Sequence, residues 1–217
     1  MNAKLKVAVL ISGRGSNLQA LIEACADASY PAEIVLVISN VAGAPGLERA
    51  REAGIATEVI EHARYDRRES FDAAMDGRLT NADAELICLA GFMRILGDEF
   101  VRKWQGRLIN IHPSLLPAFK GMHVHEQAIG AGVKISGCTV HYVISELDSG
   151  PAIAQAAVAV RDDDTAESLA RRVLEAEHRL YPSALRLIAE GRVRLENRHA
   201  AFRDCPSTDG MLQNPAG

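Results

Sequence analysis

The chain has 217 residues, 48% of them apolar, enough for one sizeable core and too few for two full domains and a linker. Its 24 Lys and Arg against 28 Asp and Glu leave a formal charge of −4, the reverse of the basic surplus that phosphate-backbone binding needs, which argues against a nucleic-acid partner. No segment nears the roughly 18 consecutive apolar residues of a membrane span, so a soluble protein without a membrane partner is expected.

The N-terminus MNAKLKVAVLISG is basic and then apolar, but the run 7–11 is shorter than the apolar core of a secretory signal and no small-residue cleavage site follows, so it reads as a first strand. Val- and Ile-rich runs recur as KVAVLIS, EIVLVIS, TEVIE, ELICLA and RLINIH. They are nearly continuous rather than alternating, as strands covered on both faces should be. Stretches with helical spacing separate them: residues 16–28, 45–53 with Pro45 in the first turn and Gly54 as a stop, 67–79, and 98–104. The alternation predicts a single α/β domain over residues 1–196, an open, mostly parallel twisted sheet with helices on both faces.

After Pro117 the pattern changes to a short helix over 122–131 ended by Gly132, then two strands, SGCTVHYVIS and AIAQAAVAV, around the turn-rich ELDSGP. The two-residue period puts Thr139 and His141 on one face of the first of these and Cys138, Val140 and Tyr142 on the other. Asp164 is expected to cap the next helix in a box with Glu167; that helix carries Leu169, Val173, Ala176 and Leu180 down one stripe, is disturbed by Pro182 and ends at Gly191. From Asn197 the periodicity fades, and a partly mobile C-terminal tail over 197–217 is expected. Cys25, Cys88, Cys138 and Cys205 are widely scattered without a CxxC pair, as in reduced, cytoplasmic proteins.

Several places could carry chemistry. VLISGRGSNLQAL is a strand, a Gly13-Arg14-Gly15-Ser16-Asn17 turn and a helix, whose N-terminal amides suit a phosphate. A dinucleotide fingerprint would want Gly at Leu18 and an acid at Asn40, so a phosphate monoester is favoured over NAD; the bland alternative is a tight turn capped by Ser16 or Asn17. Asn110 and His112 sit two apart at the end of the fifth strand, an amide and an imidazole aimed one way, which suits acyl transfer; taken alone, the pair is weak evidence and a satisfied structural His is the better reading. Asp148, in SELDSGP, is either a turn former or a partner that favours the charged ring of His112. A metal reading would group His112, His123, His125 and His141, but the recognised zinc spacings are absent. Met93, Ile95 and Leu96 beside Arg94 form either core or an apolar wall for a flat heterocycle.

Taken together, VLISGRGSNLQALIEAC, SNVAGAPGLERAREAGI, LAGFMRIL, NIHPSLLPAFKG, HYVISELDSGP and EAEHRLYP resemble the phosphoribosylglycinamide formyltransferases of purine synthesis over residues 6–196. The resemblance implies a Rossmann-like formyltransferase fold that moves a formyl group from 10-formyltetrahydrofolate, a co-substrate, to the amine of glycinamide ribonucleotide, with no metal required. It implies Asn110, His112 and Asp148 as the catalytic set; Gly15, Ser16 and Asn17 for the substrate phosphate; and Glu177 for its ribose. It also implies Arg68, Met93, Arg94, Ile95, Leu96, Ile144, Ser145, Glu146 and Leu147 for the folate. The chain departs from the family pattern at Arg14, at Ala118-Phe119-Lys120, where the basic residue has moved to Lys120, and at Ser149. Expected partners are small molecules, with the protein a monomer or homodimer.

Rival readings share the Asn-His-Asp set. Methionyl-tRNA formyltransferase is expected to carry a further basic C-terminal domain, and formyltetrahydrofolate deformylase, a hydrolase, an extra N-terminal one. A catalytically silent folate-binding module would be expected to lose the set that is present here.

Overall fold

The computed structural model describes residues 3–204 and 214. Strands and helices alternate as β1 (Leu5–Ile11), α1 (Ser16–Ala26), β2 (Ala32–Ser39), α2 (Pro45–Glu52), β3 (Thr57–Val59), α3 (Arg68–Asn81), β4 (Leu86–Leu89), α4 (Asp98–Lys103) and β5 (Leu108–His112). They continue as α5 (Val124–Gly130), β6 (Ile135–Tyr142), β7 (Ala152–Ala159), α6 (Ala166–Ala189), β8 (Val193–Glu196) and β9 (His199–Phe202). Seven strands form a mostly parallel sheet in the order β3-β2-β1-β4-β5-β6-β7, and β8 pairs with β9. The α/β class expected from the sequence is the one observed. The chain divides into two compact units, residues 1–110 with 143–145, and 111–142 with 146–217.

In the first unit β1 pairs in parallel with β2 and β4, β2 with β3, and β4 with β5. Val7, Val9 and Ile11 alternate with Ala8 and Leu10, yet all five are fully buried, which is why the run reads as continuously apolar. Ala8 and Leu10 join Leu36, Ile38, Ile87 and Leu89 on one side of the sheet. Phe71, Met75 and Leu79, spaced by four on α3, cover that side together with Phe100 and Trp104.

In the second unit β6 and β7 are antiparallel, with an irregularity between Val140 and His141, and α6 packs on both strands. The stripe of α6 is Leu169, Val173, Ala176, Tyr181, Ala184 and Leu185, so Tyr181 takes the place expected for Leu180, which is only partly buried. The helix runs unbroken through Pro182. An interior proline costs about 3 kcal/mol, and the fully buried Tyr181 and Leu185 on either side, each contributing roughly 1.5–3 kcal/mol, offset it. The capping box is also displaced by one residue. Thr165 is the N-cap, its side chain accepting from the Ser168 amide while the Ser168 hydroxyl accepts from the Thr165 amide. Asp164 is occupied elsewhere, in a bidentate pair with Arg172 at 2.8 and 2.9 Å.

The expected boundary at residue 196 falls inside the β8–β9 hairpin, where periodicity was expected to fade. Asn197 and Arg198 make its turn, both with positive φ, 48° and 65°. Two-residue hairpins of this kind favour Asn-Gly, and Arg in the second place hides the signal. Of the remaining tail, residues 205–213 and 215–217 lie outside the described residues, Cys205 among them; Cys25 is half-buried, and Cys88 and Cys138 are buried. Among the described residues no helix is long and apolar enough to cross a membrane.

Candidate active site

Asn110 and His112 stand two residues apart on β5 and so take the same side of the strand. His112 is buried, and acceptors stand at both of its ring nitrogens. Nε2 is 3.0 Å from the Phe119 carbonyl oxygen, and Nδ1 is 3.5 Å from Asp148 Oδ2. A ring that donates from both nitrogens satisfies both acceptors, and a neutral ring can satisfy only one. Asp148, with φ of 47°, also accepts the Gly121 amide at 2.9 Å, and its Oδ1 is 3.9 Å from His141 Nε2. His141 donates from Nδ1 to the Tyr142 carbonyl at 2.9 Å, and burial holds its imidazole below the ordinary histidine value. Gly150 fixes the return of this turn, because a Cβ there would lie 1.7 Å from the Tyr142 carbonyl oxygen. The carboxylate that the sequence left as either a turn former or a partner of His112 is thus the neighbour of His112.

The loop between β5 and α5 contains a cis Leu116–Pro117 bond and is held by two side chains that sequence reasoning did not single out. Thr139 Oγ1 accepts the Leu116 amide at 3.0 Å and donates to the Ser114 carbonyl at 2.7 Å. Gln155 donates to both Leu116 O and Thr139 Oγ1. Two departures from the family pattern meet in this unit: Lys120 donates to Ser149 Oγ at 2.6 Å, and Ser149 in turn donates to Leu147 O. Lys120 also stands 3.6 Å from Glu146, while Leu147 is exposed. Glu177 is buried on α6. Burial, aided by the charge of Glu177, pushes the Cys138 thiol up to about 12. His123 is exposed and pairs with Glu126, and His125 is half-buried. Among the described residues no three His, Cys, Asp or Glu gather as a metal site.

The first unit contains the glycine loop. Gly15, with φ of 70°, is the N-cap of α1, and no side chain caps the helix. A Cβ on Gly15 would lie 2.7 Å from Gly46 Cα, and the Gly46 amide donates to Gly13 O at 3.0 Å. Arg49 donates to Arg14 O. Gly46 was missed in the sequence, although its place beside Pro45 in GAPG was a signal for close backbone approach. Neither Ser16 nor Asn17 is the cap, and α1 has no acidic residue in its first turn.

Met93, Arg94 and Ile95 are exposed, whereas Leu96 turns into the core. That divides the expected wall: three residues face out and one anchors them. Arg68, exposed at the start of α3, has its Cδ beside Gly97. Ile144 is half-buried and Ser145 exposed. Asn40, where a dinucleotide site would want an acid, is buried, accepting from the Ser12 hydroxyl at 2.5 Å.

The formyl transferase family matches residues 5–185 of the chain. The chain is 44% identical to phosphoribosylglycinamide formyltransferase of Escherichia coli over 92% of its own length and 94% of that protein's. It is 55% identical to the trifunctional purine biosynthetic protein adenosine-3 of Bos taurus over 88% of its length, and it spans about a fifth (19%) of that relative. Among solved structures, glycinamide ribonucleotide transformylase 1 from Symbiobacterium toebii superposes with a TM-score of 0.91 at 46% identity, covering 94% of this chain and 96% of that one. The likeness runs through both units and nearly the whole length of two of these proteins, and the chain belongs to the formyl transferase family.

Proposed function

We propose that the protein transfers the formyl group of 10-formyltetrahydrofolate to the amine of glycinamide ribonucleotide, giving formylglycinamide ribonucleotide and tetrahydrofolate in de novo purine synthesis. The observation that carries this reading is the buried His112 with acceptors at both nitrogens, Asp148 one of them, two residues from Asn110 on one strand. The relatives named above, glycinamide ribonucleotide transformylases, support the choice of substrate.

In this reading the substrate amine attacks the formyl carbon, and the carbonyl oxygen becomes an oxyanion. The Asn110 amide donates to it and the charge of His112 stabilises it, and groups fixed in advance of the reaction stabilise the transition state most. Asp148 orients the ring and supports its charge. As the tetrahedral intermediate collapses, the carbon–N10 bond breaks and the amine's proton passes to the departing nitrogen, through His112 or an ordered water. Gly15, Ser16 and Asn17 hold the substrate phosphate at the start of α1, and Glu177 the ribose. Arg68, Met93, Arg94, Ile95, Leu96, Ile144, Ser145, Glu146 and Leu147 form the folate cleft, Leu96 from the core side. The reaction requires no metal. The reading takes residues 1–196 as one formyltransferase domain and the protein as cytoplasmic, a monomer or homodimer with small-molecule partners.

The test is consumption of 10-formyltetrahydrofolate by the purified protein with and without glycinamide ribonucleotide, with free formate assayed in both. Consumption that needs the ribonucleotide and releases no formate supports transfer. Equal formate in both samples would make the protein a hydrolase, and no consumption in either would remove the activity altogether.

A further inference from the structure

The loop that follows β4 presents Met93 and Ile95 to solvent, 72% and 60% exposed, an arrangement that apolar side chains do not hold by themselves. Both of its ends are tied to polar side chains of the first unit, Ser12 half-buried and Asp72 buried. At the near end the Met93 amide donates to Ser12 Oγ at 2.7 Å. The hydroxyl proton of Ser12 is committed to Asn40 Oδ1 at 2.5 Å, and Asn40 Nδ2 lies 3.3 Å from His62 Nδ1, so a lone pair of Ser12 is left for the loop. An acid at position 40 could accept from Ser12 but could not donate to His62. Asn40 supplies both.

At the far end the Gly97 amide donates to Asp72 Oδ2 at 2.8 Å. The approach is so close that a Cβ on Gly97 would stand 2.7 Å from that oxygen. Asp72 is 5% exposed, on the face of α3 that carries Phe71 and Met75 into the core, and its Oδ1 is buried without a hydrogen-bond partner among the described residues. A carboxyl is a costly residue for a position that only has to pack. Burial raises its pKa, the Gly97 amide and the charge of Arg68, one turn earlier on α3, oppose that rise, and Glu69 adds to it.

We infer that Ser12 and Asp72 are positioning residues for the folate cleft: the hydroxyl and the carboxyl pin the two ends of loop 93–97 and so hold Met93, Arg94 and Ile95 in the orientation that receives the folate. For the identity of the ligand, the inference rests on the proposed function. Neither residue touches the reacting atoms, so its effect falls on folate affinity and not on the chemical step.

The experiment uses full-length Ser12→Ala, Asp72→Ala and Asp72→Asn proteins, measuring amide hydrogen exchange across 91–97 without ligands and steady-state kinetics with each substrate varied. Ser12→Ala and Asp72→Ala should speed exchange at Met93 and Gly97 respectively. Each should raise KM for 10-formyltetrahydrofolate about tenfold, with kcat and KM for the ribonucleotide within about twofold. Asp72→Asn keeps an acceptor and the volume, so it should restore most of what Asp72→Ala loses. Unchanged exchange in both Ala variants would overturn the inference, as would a KM for the ribonucleotide that rises as much as that for folate. Should Asp72→Ala fail to fold, Ser12→Ala and Asp72→Asn decide the matter alone. A wild-type protein without transfer activity would refute the proposed function and with it the folate role, while the exchange data would still show whether the loop is pinned.

Discussion

Replacing Asp148 by Asn changes one atom in a place where charge and hydrogen bonding are both committed. The carboxylate accepts the Gly121 amide at 2.9 Å and faces His112 Nδ1 at 3.5 Å, with both side chains less than a tenth exposed. Gly121 and His112 both face Asp148 Oδ2, and an amide oxygen with two lone pairs can still accept from both, so the substitution chiefly removes the negative charge. At an effective dielectric of about 20, a full negative charge at that distance is worth about 5 kcal/mol to a positive ring. The amide dipole keeps part of this, which leaves an expected loss of about 3–4 kcal/mol, or about 10²–10³ in kcat. Steady-state rates with each substrate varied, alongside thermal melts, would measure it. The account expects kcat to fall by that factor with folate KM within about threefold, because Asp148 acts on the ring and not on the pterin. Unchanged turnover, or a loss carried wholly by KM, would refute the role given to Asp148.

Gly15→Ala should act on the other substrate. The left-handed backbone at φ 70° costs an Ala about 1–2 kcal/mol, and its Cβ would overlap Gly46 Cα at 2.7 Å. KM for the ribonucleotide should therefore rise by about tenfold or more while that for folate stays near wild type; equal shifts would remove the phosphate from this loop. Thr139→Val leaves the Leu116 amide and a Gln155 donor without their shared acceptor, and chemical denaturation should show a loss of about 2–3 kcal/mol. Asp164→Asn weakens the pair with Arg172 and should cost about 1.5–3 kcal/mol at neutral pH. The Arg172 guanidinium holds the Asp164 carboxyl well below the usual carboxylate range, so its contribution is present above the unfolded value near 4 and is lost as pH falls below it. The wild-type and Asp164→Asn stability curves should therefore converge toward acid pH, and curves that stay parallel would contradict this. His141 works in the same direction: its lowered value means that the unfolded chain binds the proton first, so stability declines as pH drops through about 6.5.

The parallel sheet was legible because its strands are short apolar runs separated by helices with glycine or proline at their ends, and residues such as Pro45 and Gly54 sit where the sequence places them. Asn110 and His112 were legible for a local reason, being two apart on one strand. The contact of His112 with Asp148 joins residues 36 positions apart in the chain and depends on a positive φ at Asp148 that a non-glycine residue does not advertise. Local signals failed where a neighbour outcompeted them. Asp164 reads as a cap until Arg172, eight residues on, claims it, and Asn197-Arg198 reads as tail because its turn lacks glycine. The pins of the folate loop, Ser12 and Asp72, were invisible because a serine before a glycine turn and an acid in a helix are ordinary until the folded chain brings amides to them.

The central claim is that one carbon moves from folate to a ribonucleotide amine, and it is tested most directly with 10-formyltetrahydrofolate labelled with carbon-13 in the formyl group. After incubation with the protein and glycinamide ribonucleotide, the account expects the label in the formamide carbon of the ribonucleotide product, with none in free formate. Label recovered as formate, or left on the folate, would contradict it.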